Sequence, residues 1–334
     1  MSELLSETHP SIVFASANVA DPRGPLKIYN PEDLGYFVQS MADEHGQPYF
    51  DGGVELHPVM DLWAATPKRV AQAVADHKLV LNSLHASFRG TRRSHEINTL
   101  PEEGQRQAEK SPLAARVVGA AMASPLGRLL MPEVVNSSHY MADVQKRIGR
   151  EVPVVLYPQL DVRLDAKARG AAHSRQKLIQ PTDHVARLVG ARCPEELVEK
   201  LIESNKYSGF VLDTFHAQRQ YGRSEKGVIS NLTSSLPIMA PYIKAGHLSL
   251  GRDDIPHEST ELTAATMRDV ERALNGEFDG PTGEMVDLLS DQKVGYVVLE
   301  MTAGSLGKYI GTSAIDLHKG YTYVGRAMRD ALAN

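Results

Sequence analysis

Gly209-Phe-Val-Leu-Asp213 is an unbroken apolar run that stops at a carboxylate, and two other segments, Val152-Pro-Val-Val-Leu-Tyr157 and Gly295-Tyr-Val-Val-Leu-Glu300, repeat the pattern. A strand with one wet face alternates apolar and polar residues. A strand covered on both faces is continuously hydrophobic, which is the signature of a parallel sheet. The polar group at the end of each run then projects from the edge where the strand gives way to its loop.

Working outward, Ile12–Ala17, Gly52–Leu56, Leu79–His85, Glu133–Ser138 and Ala245–Leu250 read as further strands. With Glu133–Ser138 placed fourth and Val152–Tyr157 fifth, the count comes to eight. Helical spacing fills the intervals. Asn30-Pro31 opens a helix with Leu34, Phe37, Val38 and Met41 on one face, and Thr66-Pro67 opens one with Val70, Ala73, Val74 and His77. Thr260 precedes Met267, Val270 and Leu274, and a last helix is expected over Ile315 to Leu332. A capping side chain followed by proline satisfies or avoids the orphan N–H groups of a first turn. Strand and helix alternate without a linker or a repeat, so the expectation is a single (β/α)8 TIM-barrel domain over residues 1–334. The rival is a doubly wound open sheet, which calls for a glycine-rich turn after its first strand. That position holds Ala17-Asn-Val-Ala-Asp-Pro22 instead.

Composition bounds the function. At 42% hydrophobic and 23% charged residues, the chain can fill a large core and is not disordered. The one cysteine, Cys193, excludes an intrachain disulfide and suggests a reducing, cytoplasmic setting. The first residues have no basic or long apolar region of a secretory signal. The longest apolar stretch, residues 113–130, is interrupted by Arg116, Gly119, Pro125 and Arg128, so no membrane span is expected. A net charge of −5 argues against a general nucleic-acid binder. Homo-oligomerisation is left open. No Gly-x-Ser-x-Gly elbow, P-loop or Cys-x-x-Cys pair occurs, and Cys193 opens an outer helix.

The strand ends carry a resemblance. Gly209-Phe-Val-Leu-Asp-Thr-Phe-His-Ala217 resembles the Asp-Thr-x-His strand end of the xylose isomerase-like barrels, a superfamily of sugar epimerases, isomerases and endonuclease IV. His247-Leu-Ser-Leu250 is similar to its His-Leu-x-Asp segment, Val297-Val-Leu-Glu300 to its closing Val-Leu-Glu, and Leu81-Asn-Ser-Leu-His85 to its third-strand histidine. The order of motifs covers nearly the whole chain. The resemblance implies a divalent metal held by Glu, Asp, His and Glu from successive strand ends. Asp213, His247 and Glu300 match that set, while Tyr157 stands where the first glutamate is expected. Read one pleat later, the seventh strand would offer Ser249 rather than His247.

Independently of any family, two carboxylates and an imidazole at one barrel mouth repel or stay partly protonated unless a cation lies among them. Mixed oxygen and nitrogen donors suit Mn²⁺, Zn²⁺, Mg²⁺ or Co²⁺. Alternatively, Asp213 and His216 cap loops or pair with rim arginines. Asp254, His257, His85 and His139 are remoter ligand candidates, and Glu55 reads as a rim or barrel-interior carboxylate. Arg89, Arg92, Arg93, Arg163, Arg169, Arg175, Arg219, Arg223 and Arg252 fall in segments assigned to the loops of the same rim. Arginine's planar fork suits phosphate and carboxylate, although solvated loop charges give the same pattern.

The expected function is a metal-dependent sugar or sugar-phosphate isomerase or epimerase. Glu300 and His216 would be catalytic, Asp213, His247 and Glu300 metal-binding, and Arg252, Arg89, His85 and Tyr157 substrate contacts. A metal-dependent phosphoesterase like endonuclease IV is the second expectation. A non-catalytic barrel with a degenerate metal site is the third.

Overall fold

Eight parallel strands close on themselves in chain order. They are β1 (Ser11–Ala15), β2 (Gly53–Leu56), β3 (Leu81–His85), β4 (Val154–Leu156), β5 (Lys177–Ile179), β6 (Gly209–Asp213), β7 (Ile243–Leu248) and β8 (Tyr296–Leu299). The computed structural model describes residues 10–20, 30–57, 66–85, 137–156, 175–213, 232–248, 294–301 and 310–333, with Leu26, Ile28, Leu289, Leu306 and Gly307 besides. The ring is sealed where Val13 of β1 lies opposite Val298 of β8. This is the (β/α)8 architecture expected from the apolar runs. Among the described residues, no helix is long and apolar enough to cross a membrane.

Side chains alternate along each strand, and the alternation sorts the core into two layers. Ile12, Phe14, Val154, Leu156, Phe210, Leu212, Val297 and Leu299 face the helices. Val13, Ala15, Val155, Leu178, Val211, Ala245, Tyr296 and Val298 fill the barrel's interior. The same parity carries Asp213, His247 and Glu300 inward, each two residues beyond Val211, Ala245 and Val298. The interior is therefore apolar at its base and polar towards the strands' C-terminal ends.

The helices are placed by their caps and apolar faces. A turn, α1 (Ala17–Ala20), precedes α2 (Pro31–Gln39) and α3 (Pro67–Ala75). Asn30 Oδ1 accepts from the Glu32 N–H at 2.9 Å, and Thr66 Oγ1 from that of Arg69 at 3.2 Å. Proline follows each cap, as expected. Leu34, Val38, Val70 and Ala73 are buried. His77 is not part of that face: it is exposed beyond the end of α3, at a positive φ of 57°. The outer ring continues with α4 (Ser137–Ile148), α5 (Asp183–Val189), α6 (Pro194–Val198), α7 (Leu232–Met239) and α8 (Ala314–Ala333). Thr260 and its helix lie outside the described residues.

The fourth and fifth strands differ from the sequence reading. Ser137 and Ser138 begin α4, so no strand ends there, and Val154–Leu156 is the fourth strand rather than the fifth. The fifth is Lys177–Ile179, paired to β4 and β6. It has only two apolar residues between Lys177 and Gln180, too few to register as a buried run.

A polar clasp fastens the seam of the barrel to the last helix. Asn18 Nδ2 donates to the Leu299 carbonyl at 2.8 Å, and Asn18 Oδ1 accepts from the Met301 N–H at 2.6 Å. The Tyr321 hydroxyl of α8 donates to the carbonyls of Met301 (2.9 Å) and Asn18 (3.1 Å). Beneath it Phe14 meets Phe37, Phe50 and Tyr321 edge-on, at centroid distances of 6.0, 5.1 and 5.0 Å.

Candidate functional site

His247 is the hub. It lies on β7 with no solvent exposure, and its ring stands among three carboxyl groups. Nδ1 is 3.4 Å from Glu300 Oε2 and 3.9 Å from Asp213 Oδ2, while Nε2 is 3.3 Å from Glu55 Oε1. Asp213 is the last residue of β6 and sits level with His247 in the sheet register. Glu300 is one residue past β8, anchored by its N–H donating to the Leu248 carbonyl at 3.0 Å. Its side chain retains 27% exposure, so it is the carboxylate of the three most open to the mouth.

Glu55 was expected only as a rim or interior carboxylate, and it is the most elaborately held group of the site. It is fully buried in mid-strand on β2. Ser83 Oγ donates to Oε2 at 2.7 Å, and His57 Nε2 lies 3.2 Å from Oε1. A carboxylate in that position costs several kcal/mol in lost hydration unless it is paired. Burial raises its proton affinity, but the His247 imidazole outweighs burial and, with His57, holds the carboxyl well below its usual range. His247 responds in kind. Burial would lower it, yet Glu55 and then Glu300 keep it well above the ordinary histidine value. Burial also works against ionisation of Glu300, and the His247 contact brings it down to about 2. The metal-free site is thus an imidazolium clamped between two carboxylates.

His85 behaves oppositely. Burial, then the charge of His57, pushes it down to about 3, so its ring is neutral. It stacks flat on His57, with centroids 4.5 Å apart at 5°, and its centroid is 5.2 Å from that of His247. Tyr296 stands in the interior layer, where burial and then the Glu55 charge push its phenol well above its usual range.

The donor geometry fits a metal ion. Ligand atoms of Asp213, His247 and Glu300 all lie within 4.8 Å of one another. Around a tetrahedral ion with bonds of about 2.0–2.1 Å, neighbouring ligand atoms are about 3.4 Å apart. The His247 Nδ1–Glu300 Oε2 contact of 3.4 Å matches that edge, and Nδ1–Asp213 Oδ2 at 3.9 Å is somewhat longer. Neither ring nitrogen makes a well-directed hydrogen bond among the described residues.

Neither family models nor curated proteins match this chain. The chemistry of the site therefore rests on its own geometry.

The structure brings together Asp213, His247, Glu300 and His85 from the sequence reading. His247 lies level with Asp213 in the sheet register; Ser249, two residues on and of the same parity, lies outside the described residues, as do Tyr157, His216, Arg89, Arg252, Asp254 and His257. His139 falls in the first turn of α4, not at a strand end. Arg175 is corrected too: it precedes β5 at the opposite rim, where its N–H donates to Glu151 at 3.2 Å. The residue just past the fifth strand is Gln180, which is 1% exposed and donates through Nε2 to Asp213 Oδ2 at 3.0 Å. The position sought in Tyr157, which follows β4, thus belongs to an amide. Glu55 was legible as a charge inside an apolar run, a residue that must be paired if buried. Gln180 carried no such signal.

Proposed function

We propose that the chain is a metal-dependent isomerase or epimerase of a sugar or sugar phosphate, of the xylose isomerase-like kind. The observation that carries this reading is the convergence of Asp213, His247 and Glu300 at the C-terminal end of the barrel's interior. These three residues would hold a divalent cation, which supplies polarisation of a substrate carbonyl and of a neighbouring hydroxyl. Glu300 is ionised and partly open, so it is placed to accept a proton from the carbon next to that carbonyl. Held at about 2, it is a weak base on its own, so the reaction must lean on an acidified substrate. Gln180 steadies Asp213 by donating to it without adding charge. The apolar interior below closes the site against water from the barrel's other end. His216 is kept in this proposal as a catalytic group and Arg89 and Arg252 as substrate contacts, all three lying outside the described residues.

A second reading has its own observation. The Glu55–His247–Glu300 set balances much of its charge without any cation, and Gln180 offers an amide where a further carboxylate would strengthen a metal site. A metal-free binding barrel accounts for both. The phosphoesterase proposal rests on arginines outside the described residues.

Deuterium exchange separates these readings. Chain loaded with Mn²⁺, Co²⁺, Zn²⁺ or Mg²⁺ is incubated in D₂O with a panel of ketoses and ketose phosphates, and the carbon next to the carbonyl is followed by NMR. Exchange that disappears in Asp213→Asn is expected. No exchange with any metal across the panel overturns the isomerase reading.

A further inference from the structure

The two nitrogens of His247 face two different donor sets. Nδ1 looks towards Asp213 and Glu300, and Nε2 towards Glu55. Behind the mouth, Glu55, His85 and His247 each offer a ligand atom, and these atoms also lie within 4.8 Å of one another. We infer that Glu55, His85 and His247 Nε2 form a second divalent-cation position, set inside the barrel beneath the mouth.

Four observations carry this. The donor set is one carboxylate and two imidazoles, the mixture that selects Zn²⁺ or Co²⁺ over Mg²⁺ or Ca²⁺. The His247 Nε2–Glu55 Oε1 distance of 3.3 Å is the edge of a tetrahedral coordination sphere, and Nε2 has no well-directed hydrogen bond among the described residues. The donors come with supports of the type metal ligands require. Ser83 fixes the far oxygen of Glu55, His57 approaches the near one, and the His57 ring stacked on His85 restrains its rotation. Finally, all three donors are at least 96% buried, so water competes poorly with an ion already inside. β2 and β3 supply two donors side by side, and β7 supplies the third.

A cation at either position would require the facing His247 nitrogen to be free of its proton, which would pass to solvent. With both positions filled, His247 would serve both sets as the imidazolate, offering Nδ1 alongside Asp213 and Glu300 and Nε2 alongside Glu55 and His85. With one filled, the opposite nitrogen keeps its proton and its carboxylate neighbour. This inference shares His247 with the proposed mouth site but does not depend on the isomerase reading.

The test is titration of the full chain, freed of metal by chelator, with Co²⁺. Visible absorption reports coordination, and elemental analysis after Zn²⁺ loading gives the stoichiometry. Two cations per wild-type chain are expected. His85→Gln should lose one and Asp213→Asn the other, each by more than the roughly 10–100-fold that removal of an outer partner causes. Ser83→Ala, which removes only such a partner, should stay within that range. Melting of each metal-free variant checks folding, and Glu55→Gln replaces His85→Gln if the latter does not fold. A single cation abolished by His85→Gln but kept by Asp213→Asn supports the inner position and overturns the mouth site. A single cation abolished by Asp213→Asn and unaffected by His85→Gln overturns the inner position, leaving Glu55 as the group that orients His247. No bound cation overturns both.

Discussion

Replacing Gln180 with glutamate would set a carboxylate against another carboxylate, because the Gln180 amide nitrogen lies 3.0 Å from Asp213 Oδ2. Two full charges at that separation repel by about 5–6 kcal/mol at an effective dielectric constant near 20. The protein has a cheaper escape, which is to bind a proton. Taking a reference value of about 4.3 for glutamate, protonation at pH 7 costs about 3.7 kcal/mol, and at pH 5 only about 1 kcal/mol. The smaller cost governs, so the metal-free variant should lose roughly 3–4 kcal/mol at pH 7 and about 1 at pH 5. The sign follows from linkage. The folded variant holds a proton that the unfolded chain releases above its own value, so the penalty is absent below about pH 4.3 and grows as pH rises. Added Mn²⁺ should reverse the order, because the new carboxylate joins Asp213 around the ion and a ligand bound only by the folded state stabilises it. Urea denaturation at pH 5 and 7, with and without Mn²⁺, measures all four corners. A loss that does not change with pH, or a variant that gains no more from Mn²⁺ than the wild type, would refute the placement of Gln180 beside a metal site.

Gly35→Ala should destabilise although it sits in a helix. Helix propensity alone favours alanine by about 1 kcal/mol, but the added Cβ would run into the Lys78 carbonyl oxygen, a backbone atom that cannot rotate away. A net loss of about 1–3 kcal/mol or more is expected in thermal melts, and a raised melting temperature would contradict the packing of α2 against the turn before β3. His85, pushed down to about 3, stays neutral in the folded metal-free chain, whereas the unfolded chain protonates it near its ordinary value of 6.5. Its contribution to stability should therefore fall as pH drops from about 6.5 to about 3, by up to about 1.4 kcal/mol per pH unit. NMR titration of the ring checks this, and protonation near pH 6 would count against its burial.

The barrel was legible because buried parallel strands announce themselves by continuous hydrophobicity, and β6 and β8 are read to within a residue or two. The inward parity of Asp213, His247 and Glu300 follows from the same runs, since the polar end residue keeps step with every second apolar one. Two kinds of information were missing. A three-residue strand such as Lys177–Ile179 is defined by pairing with its neighbours rather than by its own composition, whereas Glu133–Ser138 reads as a strand from sequence alone. The sequence thus sets Tyr157 after the fifth strand, where the structure has Gln180. The importance of Glu55 lies in what meets it across the lumen: Ser83 and His57 are near in sequence, but His247 is 192 positions away. No local pattern encodes that meeting. Cap and proline signals at Asn30 and Thr66 succeeded because their chemistry is confined to one turn.

The clasp of Asn18, Leu299, Met301 and Tyr321 bears on how the chain is made. Asn18 and Leu299 are 281 positions apart, and Asn18 and Tyr321 are 303 apart. At about 5–20 residues per second of synthesis, the first strand waits roughly 15–60 s for the partner that closes the ring. Throughout that interval one edge of β1 presents unpaired N–H and C=O groups, an invitation to strand addition from another chain. Fastening the seam from α8 delays closure until the residues through Tyr321 have been made. A nascent chain stalled before Tyr321 should therefore be the species most exposed to chaperones and to aggregation.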